Sequence, residues 1–330
     1  MSVLRLSMAI GNYDRTRPLF DGDIAIDGIE PIFLKLEPEE MFFRAFRHQA
    51  FDVCELSLSS FVVKLSQGDC PYVGVPVFLS RAFRHNAIYV RTDRGIRAPA
   101  DLKGRRVGIG EYQLTACVWA RILLEDDYGV RPSQLQWVRG GVETPDRPEK
   151  ISVKLPPDVR IESAPPGVTI DQLLEAGELD AFVGPRAPPC FERRNPLIAR
   201  LFADPRAEAT DYYSRTGIFP IMHVLGVHRS VVQSHPWVPA TLRKAFERSR
   251  QMAFARLNDA SAPKVMLPFV EEQLQAASAL MGANYWSYGI GGNRHVLDVF
   301  LRHHHSQGLS EKQLAVDELF HPSTFEAASI

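Results

Sequence analysis

Polar residues follow two apolar, strand-like stretches at positions where a strand would end. In FDVCELSLSSFV, from Phe51 to Val62, Glu55 interrupts the apolar run and several serines follow it. In GELDAFVGPRAPP, Arg186 follows the apolar residues in the same way. A desolvated carboxylate can have a raised pKa and act as a general acid or base, and an arginine can bind a ligand carboxylate. A salt bridge between Glu55 and an arginine is the structural alternative.

Basic residues also precede a predicted strand in VFLSRAFRHNAIYVR. Arg81 ends an apolar segment there, and Arg84, His85 and Asn86 follow it. Two arginines three positions apart could hold a dianionic ligand, because each guanidinium offers a planar pair of donors. Solvated surface arginines are the more common case in general, but we expect at least one of these two in the site, because Ser80 and Arg81 end an apolar segment.

Two loops that open helices are typical of anion-binding sites. IGEYQLTACVW places Gln113 and Thr115 at a strand-to-helix junction, where backbone amides suit an anion. It is not a dinucleotide fingerprint, because Gln113 stands where the third glycine belongs. GNYDRTRPLFDG places Arg15 at a comparable turn, where capping of the helix by Asp14 or Thr16 is the structural alternative.

Histidines offer one proton donor and one apparent metal motif. His223, in TGIFPIMHVLGVH, could donate a proton near neutral pH, although a lone histidine in an apolar strand is more often a hydrogen-bonded core residue. In RHHHSQG the three histidines are consecutive, and consecutive helical residues point about 100° apart. We therefore predict a surface helix end there, and no metal site.

The alternation of strand and helix patterns predicts an α/β protein with largely parallel sheets. The predicted strands are VLRLSMAI, FDVCEL, AIYVR, RRVGIG, LQWVRG, DAFVG and MHVLGVH, and the clearest helices are AFRHQA, TACVWARILLEDDYG and PATLRKAFERSRQMAFARL. Ligands of open α/β sheets bind beyond the carboxyl ends of strands. We therefore expect two doubly wound lobes with a ligand cleft between them.

The lobe boundaries follow from the order of these elements. Residues 1–92 and 220–330 are predicted to form a discontinuous lobe 1, into which lobe 2, residues 93–219, is inserted. The chain would cross between the lobes near residues 90–96 and 214–220. The stretch from Thr144 to Gly167 is the least regular and is interpreted as an exposed excursion.

Composition restricts the partner and the compartment. A net charge of −1 over 330 residues gives no long-range attraction for nucleic acid or anionic membranes, so a small-molecule partner is expected. The start of the chain is interpreted as a first strand, since its apolar run is short for a secretion signal. Four widely spaced cysteines without a CxxC pair favour buried thiols in a reducing cytoplasm.

Several of these stretches together resemble one known family, the 4,5-dihydroxyphthalate decarboxylases. The resemblance covers nearly the whole chain and rests on GNYDRTRPLFDG, FDVCELSLSSF, VPVFLSRAFRHNAIYV, DLKGRRVGIGEYQLTACVWAR, GELDAFVGPRAPP, YYSRTGIFPIMHV, HPWVPATLRKAFE and YGIGGNRHVLDVF. It implies the two-lobed fold of type 2 periplasmic solute-binding proteins. It also implies a cytoplasmic lyase that converts 4,5-dihydroxyphthalate to protocatechuate and CO2 without an organic cofactor.

This resemblance, combined with the chemistry of decarboxylation, suggests a role for each polar residue. Protonation of the ring carbon and loss of the para phenolic proton would make release of CO2 feasible. As a hypothesis, Arg81 and Arg186 bind the two carboxylates, with Arg15 as a possible third cation. Glu55 takes the phenolic proton and His223 protonates the ring carbon, with His85 in reserve for either role. Ser57, Gln113 and Thr115 orient the ring substituents.

Two alternatives stay open at this point. A non-catalytic solute-binding protein for an aromatic or other carboxylate would use the same arginines, and an enzyme of the same fold could act on another substrate. A pure binding protein has little need for both Glu55 and His223. Amphipathic helices near the C-terminus leave surface for a homo-oligomer.

Overall fold

The computed structural model describes residues 3–325, which form two compact units. Unit 1 comprises the described residues of Met1–Arg81, Ile221–Asp298 and Leu314–Ile330. Unit 2 comprises Ala82–Pro220 and Val299–Gln313. The lobe boundaries inferred from the sequence, residues 1–92 plus 220–330 for lobe 1 and residues 93–219 for lobe 2, remain a prediction. Within the described residues, no helix is long and apolar enough to cross a membrane.

Strands and helices alternate along most of the chain. Within residues 3–325 the strands are β1 (Leu4–Ala9), β2 (Ile29–Leu34), β3 (Val53–Ser57), β4 (Tyr72–Arg81), β5 (Ile88–Arg91), β6 (Arg106–Ile109), β7 (Gln136–Arg139), β8 (Arg160–Ser163), β9 (Ala181–Val183), β10 (Ile198–Arg200) and β11 (Ile221–His228). The α-helices are α1 (Arg17–Phe20), α2 (Pro38–His48), α3 (Leu58–Gln67), α4 (Thr115–Tyr128), α5 (Ile170–Ala176), α6 (Pro189–Glu192), α7 (Pro205–Thr216), α8 (Arg229–Ser234), α9 (Val238–Leu257), α10 (Val270–Met281) and α11 (Arg294–Ser306). Short 3-10 turns cover His85–Ala87, Thr92–Arg94, Pro99–Leu102, Pro132–Gln134, Gly291–Asn293, Val316–Leu319 and Pro322–Thr324.

Unit 1 contains a five-stranded sheet in the order β2-β1-β3-β11-β4. Strands β1, β2 and β3 pair in parallel, and β11 runs antiparallel to both β3 and β4. Helix α2 packs against β3, α3 packs against β11, and α9 packs against β4. All five residues of β3 are buried, and the strand lies between β1 and β11 at the centre of the sheet.

Unit 2 contains a six-stranded sheet in the order β10-β5-β9-β6-β7-β8. Its β6, β7, β8 and β9 pair in parallel, whereas β5 is antiparallel to β9 and β10. Part of its core is the buried cluster around α5, which comprises Tyr89, Val138, Ile170, Leu173, Leu174, Leu179, Phe182, Cys190 and Ile198. Both units are therefore α/β with mixed sheets, and five of the nine strand pairings in the described residues are parallel.

The strand and helix patterns of the sequence are confirmed wherever they were predicted. The seven predicted strands coincide with β1, β3, β5, β6, β7, β9 and β11, and the three helices with parts of α2, α4 and α9. The four cysteines are buried and unpaired, as expected.

Two predictions about irregular segments are wrong in part. The RHHHSQG stretch is not a simple surface helix end, because His303 and His304 are buried at the end of α11. His304 contacts the ring of Phe300 and the hydroxyl of Ser310, and His303 lies 2.9 Å from the carboxylate of Asp126. The excursion from Thr144 to Gly167 is also not wholly exposed, since it buries Lys150 and Ile151 and contains β8.

Candidate active site

Glu55 lies in the middle of the unit 1 sheet and has no solvent-exposed surface. It belongs to β3, which pairs with β1 on one side and with β11 on the other. An ionised carboxylate in such a position is costly unless its oxygens accept hydrogen bonds. The structure supplies donors from two neighbouring parts of the chain, the loop after β1 and strand β11.

Three donors surround the Glu55 carboxylate. The backbone N–H of Gly11 donates to Oε2 over 2.8 Å, and the Tyr13 hydroxyl donates to Oε1 over 2.9 Å. The Nδ1 atom of His223 lies 2.5 Å from the same Oε1. Both oxygens are therefore satisfied within unit 1, and one of them is shared by a phenol and an imidazole.

The pKa of Glu55 is lowered from its ordinary value. Burial alone would raise the pKa, but the hydrogen bond and charge of His223, the Gly11 amide and the Tyr13 hydroxyl together outweigh it. The sequence pattern favours a raised pKa for Glu55, and this direction is wrong, because the pattern indicates burial but not the three donors. Burial and the Glu55 charge raise the pKa of the Tyr13 phenol, so Tyr13 remains a donor at neutral pH.

His223, unlike Glu55, has solvent-exposed surface, and Tyr13 is also partly exposed. Its side chain is 18% exposed, whereas that of Glu55 is 0% exposed. Since the carboxylate only accepts, Nδ1 carries the hydrogen in this bond and Nε2 is available to another partner. The ring also contacts the edge of Phe42 with 4.8 Å between ring centroids. The geometry therefore gives an imidazole oriented by a buried carboxylate.

The pairing of β11 with β4 is irregular on both sides of His223. His223 is opposite Ser57 on β3 and Ser80 on β4, and the register on β4 shifts between Leu225 and His223 and again before Ile221. Bulges of this kind are frequent next to active sites, because they redirect a side chain out of the regular pleat. Glu55 and His223 lie on the same face because Glu55 is directly opposite Leu225, two residues from His223.

The loop between β1 and α1 fixes the position of Tyr13. The Thr16 hydroxyl donates to the Gly11 carbonyl over 2.6 Å and accepts from the Tyr13 amide over 2.9 Å. The Tyr13 ring folds back over Gly11 so closely that a Cβ at Gly11 would lie 2.1 Å from it. Glycine at position 11 is therefore a condition for the Tyr13–Glu55 hydrogen bond.

Sequence reasoning missed Tyr13 as a member of this group. The loop was recognised only for its polar residues, and a tyrosine between Asn12 and Asp14 carries no local signal of a contact 42 residues away. The available signal was the glycine two residues before it, which allows the ring to turn back.

Arg15 completes the polar cluster in unit 1. Its guanidinium lies over the Tyr13 ring at 4.1 Å and over the Trp286 ring at 4.3 Å. Its Nε donates to the Leu79 carbonyl over 2.8 Å, and Nη1 donates to Asp14 over 3.1 Å. The structure thus brings together Arg15, Glu55 and His223 through Tyr13, which contacts both Arg15 and Glu55.

Two further predicted residues of unit 1 have well-defined positions. Ser57 is buried, stands immediately before α3 and is the cross-strand neighbour of His223. Arg81 is almost fully buried and donates to the Ser287 carbonyl over 3.0 Å and to the side-chain oxygen of Asn293. These contacts of Arg81 hold the segment before α11, and its predicted role in binding a carboxylate stays a prediction.

Four predicted residues, Gln113, Thr115, Arg186 and His85, belong to unit 2. Gln113 is buried and donates to Glu111 and to the Ile151 carbonyl, both over 2.9 Å, while Lys150 forms a buried ion pair with Glu111. Thr115 begins α4, and Arg186 is exposed just beyond β9. The roles predicted for Gln113, Thr115 and Arg186 stay predictions.

His85 has an apolar environment in unit 2. Its ring lies 5.5 Å from that of Phe202 and 5.4 Å from that of Tyr212, and neither ring nitrogen has a hydrogen-bond partner among the described residues. Burial lowers the pKa of His85 to about 4. Its environment differs from that of His223, and its predicted reserve role stays a prediction.

Within residues 3–325 no group of three or more His, Cys, Asp or Glu side chains could hold a metal ion.

Solved structures show which fold this is. Over 98% of this chain and 99% of the other, it is similar to the periplasmic aliphatic sulphonate-binding protein of Escherichia coli, with a TM-score of 0.54 and 11% identity. A putative sulfonate-binding protein of Methylobacillus flagellatus gives a TM-score of 0.56 at 12% identity, over 98% of this chain and 93% of the other. A Candida albicans protein described as having the generic periplasmic binding protein fold gives 0.52 at 10% identity, over 96% and 93%. At these identities the likeness shows the fold alone, which is the periplasmic-binding-protein fold expected from the sequence.

Curated relatives identify the family. No protein-family model matches the sequence. The 4,5-dihydroxyphthalate decarboxylase of Comamonas testosteroni is 56% identical over 330 residues, which is the full length of both chains. The protein of the same name from Pseudomonas putida is 56% identical over 213 residues, 64% of this chain and 83% of its own. With this identity along its whole length, the chain belongs to the 4,5-dihydroxyphthalate decarboxylase family.

Proposed function

We propose that this protein decarboxylates 4,5-dihydroxyphthalate to protocatechuate and CO2 and that His223 exchanges protons with the substrate. The observation that carries the proposal is the 56% identity to a 4,5-dihydroxyphthalate decarboxylase over the full length of both chains. The Tyr13, Glu55 and His223 cluster supports it independently, because decarboxylation of an aromatic ring needs an acid–base group that the ligand can reach.

The reaction requires one proton for each CO2 released. The ring carbon that carries the carboxylate gains a proton, and loss of the para phenolic proton stabilises the resulting intermediate. The bond to the carboxylate then breaks, its electron pair returns to the ring, and the phenol regains its proton. The net change is dihydroxyphthalate plus H⁺ to protocatechuate plus CO2, so no oxidant or reductant is involved.

His223 is the best-supported donor of this proton. Its ring is partly exposed, and its Nδ1 is held by Glu55 at 2.5 Å. A buried carboxylate behind an imidazole fixes its orientation and stabilises the protonated ring. We therefore assign proton exchange with the substrate to His223.

Glu55 has a different role in this proposal from the one that the sequence suggested. Because its carboxylate has no exposed surface and binds three donors of the protein, it acts through His223 rather than on the phenol. Tyr13 is a second positioning residue, since its hydroxyl shares Glu55 Oε1 with the imidazole. Both residues hold the proton-transfer group in one orientation.

Cationic residues would bind the two carboxylates of the substrate. Arg15 is supported by its place against the Tyr13 ring, which connects it to the acid–base cluster. Arg186 is supported by its exposure beyond the end of β9. Arg81 remains a third candidate, and Ser57, Gln113 and Thr115 remain candidates for contacts to ring substituents.

We extend the proposal to the setting of the protein. A cytoplasmic location is supported by four buried, unpaired thiols, which suit a reducing compartment.

Self-association with a second copy is supported by the exposed apolar side chains of Val265, Met266, Leu267 and Phe269, since soluble monomers rarely expose large contiguous apolar patches. Light scattering measures the molar mass of the protein and of a Leu267→Asp variant in solution. If the two masses are equal, these four residues do not form an interface between copies.

Incubation of the purified protein with 4,5-dihydroxyphthalate, with and without a chelator, tests the function. Protocatechuate formation followed by chromatography is the expected result, and the His223→Gln variant should lose about 10²–10⁴-fold in kcat. His48→Gln, which changes an exposed histidine of the same unit, is the matched control and should keep full activity. A rise in melting temperature with the ligand but no product would contradict the lyase and favour a binding protein.

A further inference from the structure

Arg121 is a buried cation outside the candidate active site. It lies on α4 in unit 2, and the residue is 1% exposed. Its guanidinium stacks on the Tyr112 ring at 3.7 Å, donates from Nε to the Gln307 side-chain oxygen over 2.8 Å, and donates from Nη2 to the Tyr112 carbonyl over 2.9 Å. These three contacts tie α4 to the loop before it and to the residue that follows α11.

The charge of Arg121 has no counter-ion among residues 3–325. Burial lowers the pKa of its guanidinium, and the Tyr112 and Cys117 side chains act in the opposite direction. Burial raises the pKa of the Tyr112 phenol, and it raises the pKa of the Cys117 thiol to about 11, so both are neutral near pH 7. A buried, uncompensated positive charge is strongly unfavourable unless an anion accompanies it.

Three polar atoms of the same cluster have no hydrogen-bond partner within residues 3–325. They are Arg121 Nη1, Gln307 Nε2 and Tyr112 Oη, and all three residues are buried. The guanidinium and amide nitrogens can only donate, and the phenol can donate as well. Three buried polar atoms without hydrogen-bond partners therefore belong to residues in direct contact with an uncompensated positive charge or to the arginine itself. Water would accept these hydrogens without supplying the missing charge, whereas a small anion would do both.

We propose that Arg121, Gln307 and Tyr112 bind a small monovalent inorganic anion of the halide class inside unit 2. The ligand must be small because the cluster is enclosed by protein. Binding would join α4, the loop before it and the residue after α11 by one shared set of hydrogen bonds. The anion is structural, and its site is separate from the Glu55 and His223 cluster, which belongs to unit 1.

Thermal unfolding at constant ionic strength tests the site. The protein is dialysed into sodium gluconate, whose anion is too large to be enclosed, and then titrated with sodium chloride or sodium bromide. A ligand that binds only the folded state raises the melting temperature with its concentration, here by roughly 3–10 °C. Equal melting temperatures in gluconate, chloride and bromide would overturn the proposal.

Variants and bromide crystallography make the test specific. Arg121→Met should abolish the rise in melting temperature with halide. Tyr112→Phe removes only the hydroxyl and should weaken this rise, so it tests the site even if Arg121→Met does not fold. Arg91→Met is the matched control, because Arg91 is a buried arginine of the same unit that has its own carboxylate partner, Asp93, and it should keep the full halide effect. An anomalous bromide peak beside Arg121 Nη1 in wild-type crystals supports the site, and water alone at that position contradicts it.

Discussion

His223 and Glu55 are joined by a 2.5 Å hydrogen bond between the imidazole Nδ1 and the carboxylate Oε1 across adjacent antiparallel strands. The two side chains differ in access, because the carboxylate is enclosed and the imidazole is not. A ligand could therefore meet only the imidazole, and any effect of the carboxylate on chemistry must pass through this bond. This asymmetry separates a catalytic residue, His223, from a positioning residue, Glu55.

Replacement of Glu55 by glutamine should lower kcat by about 10²–10⁴-fold with little change in KM. The amide has nearly the same shape, but it carries no charge to stabilise a protonated imidazole. It can also turn its NH2 group towards Nδ1 and favour the other tautomer of His223. Steady-state kinetics measure the loss, and nitrogen NMR of labelled histidine reports the tautomer.

Glu30→Gln is the control for the Glu55 variant. Glu30 lies in β2 of the same unit, but it forms an exposed ion pair with Arg5, so the change should leave kcat unaltered. An active Glu55→Gln enzyme with an unchanged tautomer would show that the carboxylate does not orient the imidazole.

Tyr13→Phe should reduce kcat by roughly tenfold while leaving the fold intact. The hydroxyl donates to the Glu55 oxygen that His223 also uses, and one hydrogen bond to a charged group is worth about 1.5–3 kcal/mol. Gly11→Ala should resemble Tyr13→Phe, because the added methyl would collide with the Tyr13 ring. Steady-state kinetics of the two single variants and the double variant measure the losses in kcat. If the free-energy losses were fully additive, the two changes would not act through the same Tyr13–Glu55 hydrogen bond.

The sequence was sufficient to predict the elements whose apolar pattern is regular. β4 was recognised only as an apolar segment, because Gly74 and Pro76 interrupt it and its pairing with β11 shifts register. β2 alternates weakly and contains Pro31. Such strands are specified by their neighbours in the sheet, and a single sequence carries little information about them.

The candidate site was predictable to the extent that its residues lie at strand ends. Glu55 and His223 stood out as polar residues in apolar strands, but their hydrogen bond depends on the register of β3 and β11. Tyr13 reaches Glu55 only because β1 and β3 are adjacent and Gly11 leaves room for the ring. The direction of the Glu55 pKa could not be predicted for the same reason, since the donors that decide it are distant in sequence.

His85 should make the protein less stable in mild acid. Burial lowers its pKa to about 4, whereas the unfolded chain takes up a proton near 6.5. The unfolded state therefore binds more protons between these values, so stability falls as the pH decreases from about 6.5 to about 4. Urea unfolding at several pH values should show a smaller fall for His85→Phe, which suits the surrounding aromatic rings.

The same variant separates a structural from a catalytic role of His85. His48→Gln is the control for the unfolding series, and it should keep the wild-type dependence on pH. If His85→Phe has the same acid sensitivity as the wild type, another group causes it. If the variant loses decarboxylation while it remains folded at pH 7.5, His85 contributes to the chemistry in spite of its apolar environment.

Arg186→Ala should raise KM for 4,5-dihydroxyphthalate by roughly 10–100-fold and leave the melting temperature unchanged. The side chain is exposed beyond β9, so its removal leaves no cavity in the core. A charge-assisted pair with a ligand carboxylate is worth about 1.5–3 kcal/mol, which corresponds to this range. Arg131→Ala, an exposed arginine of the same unit, is the matched control. Unchanged KM and kcat in Arg186→Ala would remove this residue from the substrate site and leave Arg15 as the best-supported cation for the substrate carboxylates.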